Sequence, residues 1–281
     1  MNKQLLLAGG GLLLVILLFF FGKTSEPKKQ SPNQAATARK GFDIQQFISS
    51  AKAQLTPEQA IYVSKLENGI SRGDVQDQQI KAYMTLSHFW KDSIKRFEPF
   101  AFYASQASEL ENSENSLTFA ARIFLDNLRA ETDDAKLNWE TSKAIELFEK
   151  ALAKNPENVD LKIGLGSAYI FGKGKSGNPE ETMKGISALL SVVRKDSNNM
   201  KAQLVLGIGG YVSGQYDKSI ERFKKVVTAQ PNNLEAIAFL ADAYAAKGDK
   251  AEAIKWYNTS KRLVNDPHYT KEVDNRLKLL Q

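Results

Sequence analysis

Four stretches of this chain repeat one another at offsets of 41, 34 and 34 residues: "AIELFEKALAKNP" (144–156), "GISALLSVVRKDS" (185–197), "SIERFKKVVTAQP" (219–231) and "AIKWYNTSKRLVN" (253–265). Each begins with a small residue, Ala144, Gly185, Ser219 or Ala253. Four positions on stands a large one, Phe148, Leu189, Phe223 or Tyr257, and three further a smaller one, Ala151, Val192, Val226 or Ser260. Steps of four and three lie on one face of a helix. Pro156 and Pro231 close two of the stretches, with Ser197 and Asn265 at the equivalent places. Matching helices precede three of them: "LKIGLGSAYIFG", "KAQLVLGIGGYVSG" and "EAIAFLADAYAAKG". These share the pairs Leu165-Gly166, Leu206-Gly207 and Leu240-Ala241, and reach Gly172, Gly214 and Gly248, glycines of the kind that end helices. Tyr169 and Tyr244 follow the pair in two of them, whereas the third repeat has Gly210 at that place and Tyr211 after it. Two antiparallel helices meeting at small residues cannot bury their apolar faces alone, so such pairs must stack on further pairs.

The agreement of spacing, residue size and helix breakers closely resembles the tetratricopeptide repeat (TPR) family, over residues 141–265 and most strongly over 200–265. "LGSAYIFGKG" is also similar to the Sel-like variant of that repeat. The fold expected is all-α, a TPR-type helical-hairpin solenoid with an N-terminal transmembrane helix and a C-terminal capping helix. Upstream, "SLTFAARIFLDNL" (116–128) reads as a first helix, joined to Ala144 by a long loop containing Trp139. Residues 78–97 and 98–111 read as a degenerate pair. "FDIQQFISSAKAQL" and "TPEQAIYVSKLENGISRG" add two helices, the second opened by Thr56 and Pro57. At the end, Tyr269, Val273, Leu277 and Leu280 share one face, as suits a cap.

Residues 5–22 carry no charge and lie between Lys3 and Lys23. As a helix, such a run spans roughly 27 Å, close to the thickness of a bilayer's hydrocarbon. It ends in Phe19, Phe20 and Phe21 with no small-x-small cleavage site, so a retained anchor is expected rather than a cleaved signal. The chain thus divides into an anchor (1–22), a polar basic linker (23–41), a helical region with degenerate hairpins (42–115), TPR repeats (116–265) and a capping helix (266–281). Five basic residues after the span favour a cytoplasmic domain by the positive-inside rule. A short tail before one apolar helix instead resembles an uncleaved signal anchor that exports the domain attached to it. The reading taken is a single-pass inner-membrane protein with a periplasmic domain, the cytoplasmic orientation being its alternative.

Six of the 38 basic residues precede Gly41 with a single acid, leaving 32 basic against 31 acidic from Phe42 onward. That near-neutral balance lacks the concentrated basic face nucleic acid requires. Cysteine is absent, which removes thiolate metal sites and cysteine nucleophiles. "GKGKSG" (172–177) invites a phosphate-loop reading, yet Tyr169 stands five before Gly174 where the motif needs glycine, and a helix precedes it rather than a strand. Pro179, Glu180 and Glu181 make a good first turn, so the stretch reads as an inter-helix turn, with a nucleotide-binding enzyme as the weaker alternative. His88 and His268 lie in distant parts of the stack, and Asp133-Asp134 sits in a loop. No catalytic residue, cofactor or metal site is assigned.

In TPR proteins the first helices of successive pairs line a concave groove that receives peptides or partner helices. By that resemblance, the inward-facing positions here are Ile163, Ser167 and Ile170, then Leu204, Ile208 and Tyr211, then Ala238 and Asp242. They are mostly apolar, so the Lys, Asn and Arg that clamp a carboxylate in some members are missing, and an amphipathic helix or apolar segment would suit them. Packing against the chain's own helices is the other reading of the same residues. The function implied is a non-catalytic, membrane-tethered scaffold or adaptor for a protein partner, similar in layout to bacterial TPR proteins. A holdase-like chaperone or translocon-associated factor for exported chains is the alternative.

Overall fold

The computed structural model describes residues 41–72, 75–264 and 266–280, all helix and turn. The apolar run 5–22 and the linker up to residue 40 lie outside the described residues, and among those described no helix is long and apolar enough to cross a membrane. The helices are α1 (Ile44–Lys52), α2 (Pro57–Ser71), α3 (Gln76–His88), α4 (Phe97–Glu111), α5 (Glu114–Asn127), α6 (Asp134–Lys154) and α7 (Val159–Ala168). They continue as α8 (Pro179–Lys195), α9 (Met200–Val212), α10 (Tyr216–Ala229), α11 (Leu234–Lys247), α12 (Lys250–Leu263) and α13 (Pro267–Lys278). Two wider π turns, Phe89–Ile94 and Tyr169–Gly174, extend α3 and α7.

Local chemistry fixes where each helix starts. Asn158, Asn199 and Asn233 cap α7, α9 and α11, each side chain accepting from a backbone N–H three residues on, at 3.2, 3.0 and 3.0 Å. Each stands two places after the breaker position 156, 197 or 231, so the turn chemistry repeats with the helices. Thr56 and Gln59 form a reciprocal capping box on α2, with Pro57 in its first turn. Gly214 and Gly248 take positive φ, +73° and +89°, and end α9 and α11 in the left-handed conformation that glycine adopts without steric cost.

From α2 onward each helix packs on the next in chain order, whereas α1 packs on α4; α5, α7, α9 and α11 also touch one another in succession, so first helices form one face of the stack. The small residues at the repeat positions explain the close approach. A Cβ on Gly207 would lie 2.5 Å from the Phe223 ring, and one on Gly166 would lie 2.6 Å from Leu189, the equivalent contact one repeat earlier. The start of the second helix meets the same place: Gly185 lies against the Gly166 carbonyl, and the Ser219 hydroxyl donates to the Gly207 carbonyl at 2.8 Å. Phe148, Leu189, Phe223 and Tyr257 are all buried, as are Ala151, Val192, Val226 and Ser260. At the C-terminus, Val273 is buried while Tyr269, Leu277 and Leu280 pack partly buried on the same core.

Two sequence expectations change. The segment before Ala144 is not a long loop: α6 begins at Asp134, where Asp133 accepts from the N–H groups of Ala135 and Lys136 at 2.9 and 3.0 Å. Trp139 lies inside that helix and meets Phe124 edge to face at 5.3 Å. Nor does Gly172 end its helix. It sits inside the π turn, and a Cβ there would fall 2.0 Å from the Thr141 hydroxyl, so it is a close-approach glycine. The left-handed residue of that hairpin is Gly177, at φ +73°.

Between α5 and α6 the Glu140 carboxylate is fully buried and accepts from Asn127 Nδ2 through both oxygens, at 3.0 and 3.1 Å. Burial pushes its carboxyl up to about 7 from the ordinary 4.5, and the Asn127 bonds only partly oppose that rise. Between those two values the folded chain keeps a proton that the unfolded chain has released, so Glu140 makes stability fall as pH rises through this window. Glu140→Gln should therefore gain on the parent progressively from pH 4.5 to 7, by at most about 3 kcal/mol, and hold a constant advantage above it. Parallel chemical denaturation of both proteins across that range measures the difference. At the helix crossing, Gly207→Ala should cost about 1–3 kcal/mol by overpacking. Adding Phe223→Leu should recover part of that loss in a double-mutant cycle.

Candidate functional site: the face of the first helices

The eight positions assigned to the groove separate by exposure. Ile163 is 8% exposed, Ser167 5%, Ile170 0% and Ile208 3%, so these four are interior. Ser167 donates its hydroxyl to the Ile163 carbonyl at 2.8 Å. Ile170 lies beneath α9 at Gly209, whose Cβ would come within 2.8 Å of it; it joins α7 to α9 and offers nothing outward. Leu204, Tyr211, Ala238 and Asp242 are half-buried and remain within reach of a partner.

Asp242 is already engaged. Its Oδ1 accepts from the Tyr257 hydroxyl and from Arg276 Nη1, the latter at 2.6 Å from the capping helix α13. Burial and the bond to Asp242 push the Tyr257 phenol well up, and the same carboxylate holds Arg276 firmly charged. Tyr211 is raised by burial first and by the nearby Asp242 second. Its ring meets Tyr216 at 6.0 Å and Phe239 edge to face at 5.8 Å, and Phe239 stacks on Phe223 at 5.7 Å. The exposed part of this face is thus a strip of apolar and aromatic side chains, whose carboxylate is neutralised from within the chain.

Sequence reasoning misses two features here. Arg129, just after α5, pairs with Glu235 in the first turn of α11, although α7 and α9 stand between these helices in the packing order. Its guanidinium also lies over the Phe171 ring, 4.2 Å from the centroid. A contact 106 residues apart leaves no periodic trace. The second is Lys175 of "GKGKSG". Its ammonium donates to the carbonyls of Leu128 and Arg129, at 3.4 and 3.3 Å, and to that of Glu131. These carbonyls lie at the C-terminal end of α5, where a cation is favoured. The stretch is a turn, from a π turn through Gly177 to the Asn178 cap of α8, and its second lysine closes another helix. Among the described residues, no group of three His, Asp or Glu side chains could hold a metal ion.

Residues 213–271 match the family model described as tetratricopeptide repeat. A 62-residue segment is 39% identical to cellulose synthase operon protein C of Escherichia coli, covering 22% of this chain and 5% of that protein. Another match, 29% identical over 105 residues, is to 5'-3' exoribonuclease 2 of Gibberella zeae, covering 36% of this chain and 11% of that one. The chain therefore spans only a small part of the curated relatives it matches. Among solved structures, a thermophilic TPR protein of Thermus thermophilus superimposes with a TM-score of 0.51 at 16% identity, covering 72% of this chain and 98% of that one. That likeness concerns the fold alone, an all-helical TPR solenoid.

The Arg129–Glu235 pair ties the ends of the first-helix face together. Glu235→Gln should lower stability by only about 0.2–1 kcal/mol, as for other half-exposed pairs. Its larger effect should be geometric. The chain has no native cysteine, so spin labels at Thr132→Cys and Asn232→Cys can report the distance across the tie. Pulsed EPR should show a longer, broader distribution in Glu235→Gln, and an unchanged distribution would mean the pair holds nothing in place.

Proposed function

We propose that this chain is a non-catalytic scaffold that presents the half-exposed strip of its first helices to a protein partner and is held at the inner membrane by residues 5–22. The observation that carries the reading is the character of that strip. Leu204, Tyr211 and Ala238 stand partly open to solvent, while the carboxylate beside them is bonded within the chain, Asp242 to Tyr257 and Arg276. A surface of this kind gains by covering apolar area and offers few directional bonds, so it suits an amphipathic helix or an extended apolar segment. The same apolar character favours such a ligand over a terminal carboxylate, which would need cations to receive it. The uncharged run 5–22 and the basic residues after it supply the tether, and we place the solenoid on the exported side.

The same apolar strip supports one second reading, a holdase for unfolded exported chains. Photo-crosslinking separates the two: a benzophenone amino acid at Leu204 or Tyr211 should yield one discrete adduct for a scaffold and a spread of adducts for a holdase. Adducts formed equally well from exposed Lys201 or Glu221, or none at all, would overturn the placement of the partner on this strip. Orientation is measured through exposed Asn198, by labelling Asn198→Cys in intact cells with a reagent that passes the outer envelope only. Labelling before lysis is expected, and labelling only after lysis would place the solenoid in the cytoplasm.

A further inference from the structure

Helix α2 and the end of α3 with its π turn form the walls of a cleft of about 490 Å³, well before the first repeat. In a π turn, positions four and five apart share a face, so His88, Phe89, Asp92 and Ser93 all line the same side of this cleft. Opposite them stand Glu58 and Tyr62 of α2. The Tyr62 and Phe89 rings meet at 5.5 Å, tilted, within the lining; Asp92 adds a carboxylate from one side, and Glu58, whose carboxyl is held below the usual range by its own backbone N–H and by Thr56, adds one from the other. Among the described residues, no lysine or arginine lines the cleft. Among the described residues, Asp92 makes a long contact with His88 Nδ1, at 3.6 Å, and both side chains are largely exposed. Beside the cleft Ile61 is 70% exposed and Tyr62 44%, so an apolar ledge adjoins the acidic one.

We propose that this cleft is a second docking site, for an arginine or lysine side chain of a partner polypeptide. The cation would lie between Glu58 and Asp92 over the Tyr62–Phe89 rings, with an apolar neighbour of the partner on Ile61. The chemistry is complementary on three counts. Two carboxylates attract a cation, aromatic faces stabilise it further, and a long aliphatic stem suits a cleft with aromatic rings in its lining. The ledge at Ile61 favours a polypeptide over a free amine, because only a chain brings an apolar residue next to its cation. The site is remote from the first-helix strip and does not rest on the partner proposed there.

The test uses the full chain in detergent and a fluorescent blocked peptide with a central Arg between two Leu residues, read by anisotropy. Binding is expected, weakening with ionic strength between about 0.05 and 0.5 M. Glu58→Gln with Asp92→Asn should weaken it about tenfold or more, and Tyr62→Leu should weaken it several-fold. Glu180→Gln, an exposed acid at the start of α8, should leave it unchanged. All four positions are on the surface, and unaltered melting of the variants would show that the fold is kept. The proposal is overturned if the corresponding Glu peptide binds as tightly, or if binding survives the double variant. It is equally overturned if free arginine matches the peptide, because the occupant would then not be a polypeptide.

Discussion

The pairing of helices in this solenoid depends on backbones meeting where side chains are small or missing. At Gly166 and Gly207 the first helix of a hairpin has no room for a Cβ, because Leu189 or Phe223 of the second helix fills that space. The close approach also brings the Gly166 carbonyl against Gly185, and the Gly207 carbonyl within hydrogen-bond reach of the Ser219 hydroxyl. Such contacts gain on two counts, since a large side chain leaves water and the gap around it is filled. The cost is rigidity of composition: the small residue and the large one must change together. Repetition is the outcome, because successive hairpins close their own two helices with the same kind of contact.

That dependence explains which parts of the fold are legible in the sequence. Small, large and smaller residues at steps of four and three are a direct imprint of helix packing, and the imprint alone marks Phe148, Leu189, Phe223 and Tyr257 as interior, where they are found. Features that periodicity does not record stay hidden. The first turns of α6 carry no repeat signature, and only the Asp133 cap and the Trp139–Phe124 contact explain why the segment is helical. Gly172 reads as a helix terminator because glycine serves both left-handed turns and close approaches, and sequence does not say which. The Asn caps of α7, α9 and α11 are a quieter signal, legible only as asparagines at a constant distance from the breakers.

The candidate site is half legible for a related reason. Family geometry says which face of a first helix turns inward, but not how far neighbouring helices close over it. Ile170 and Ile208 occupy inward positions and are sealed off, Ile170 because Gly209 lets α9 settle directly on it. Leu204 and Tyr211, a turn away from Ile208 on the same helix, stay half open. Likewise, the cations of the sequence can be counted but not assigned. Lys175, conspicuous in a glycine-rich stretch, neutralises the carbonyl end of α5, whereas the less conspicuous Arg129 reaches across the stack.

The reach of Arg129 alters what kind of mechanical object this is. A stack in which every unit touches only its neighbours behaves as a soft spring, with compliance distributed evenly along its length. A tie that skips units closes a ring through α5, α7, α9 and α11 and makes that distribution uneven. Tension applied at either end would then meet a small extra resistance inside the ring, no larger than the ~0.2–1 kcal/mol such a pair contributes. Because the tie is ionic and half exposed, its stiffness is set by the dissolved ions around it as well as by the protein.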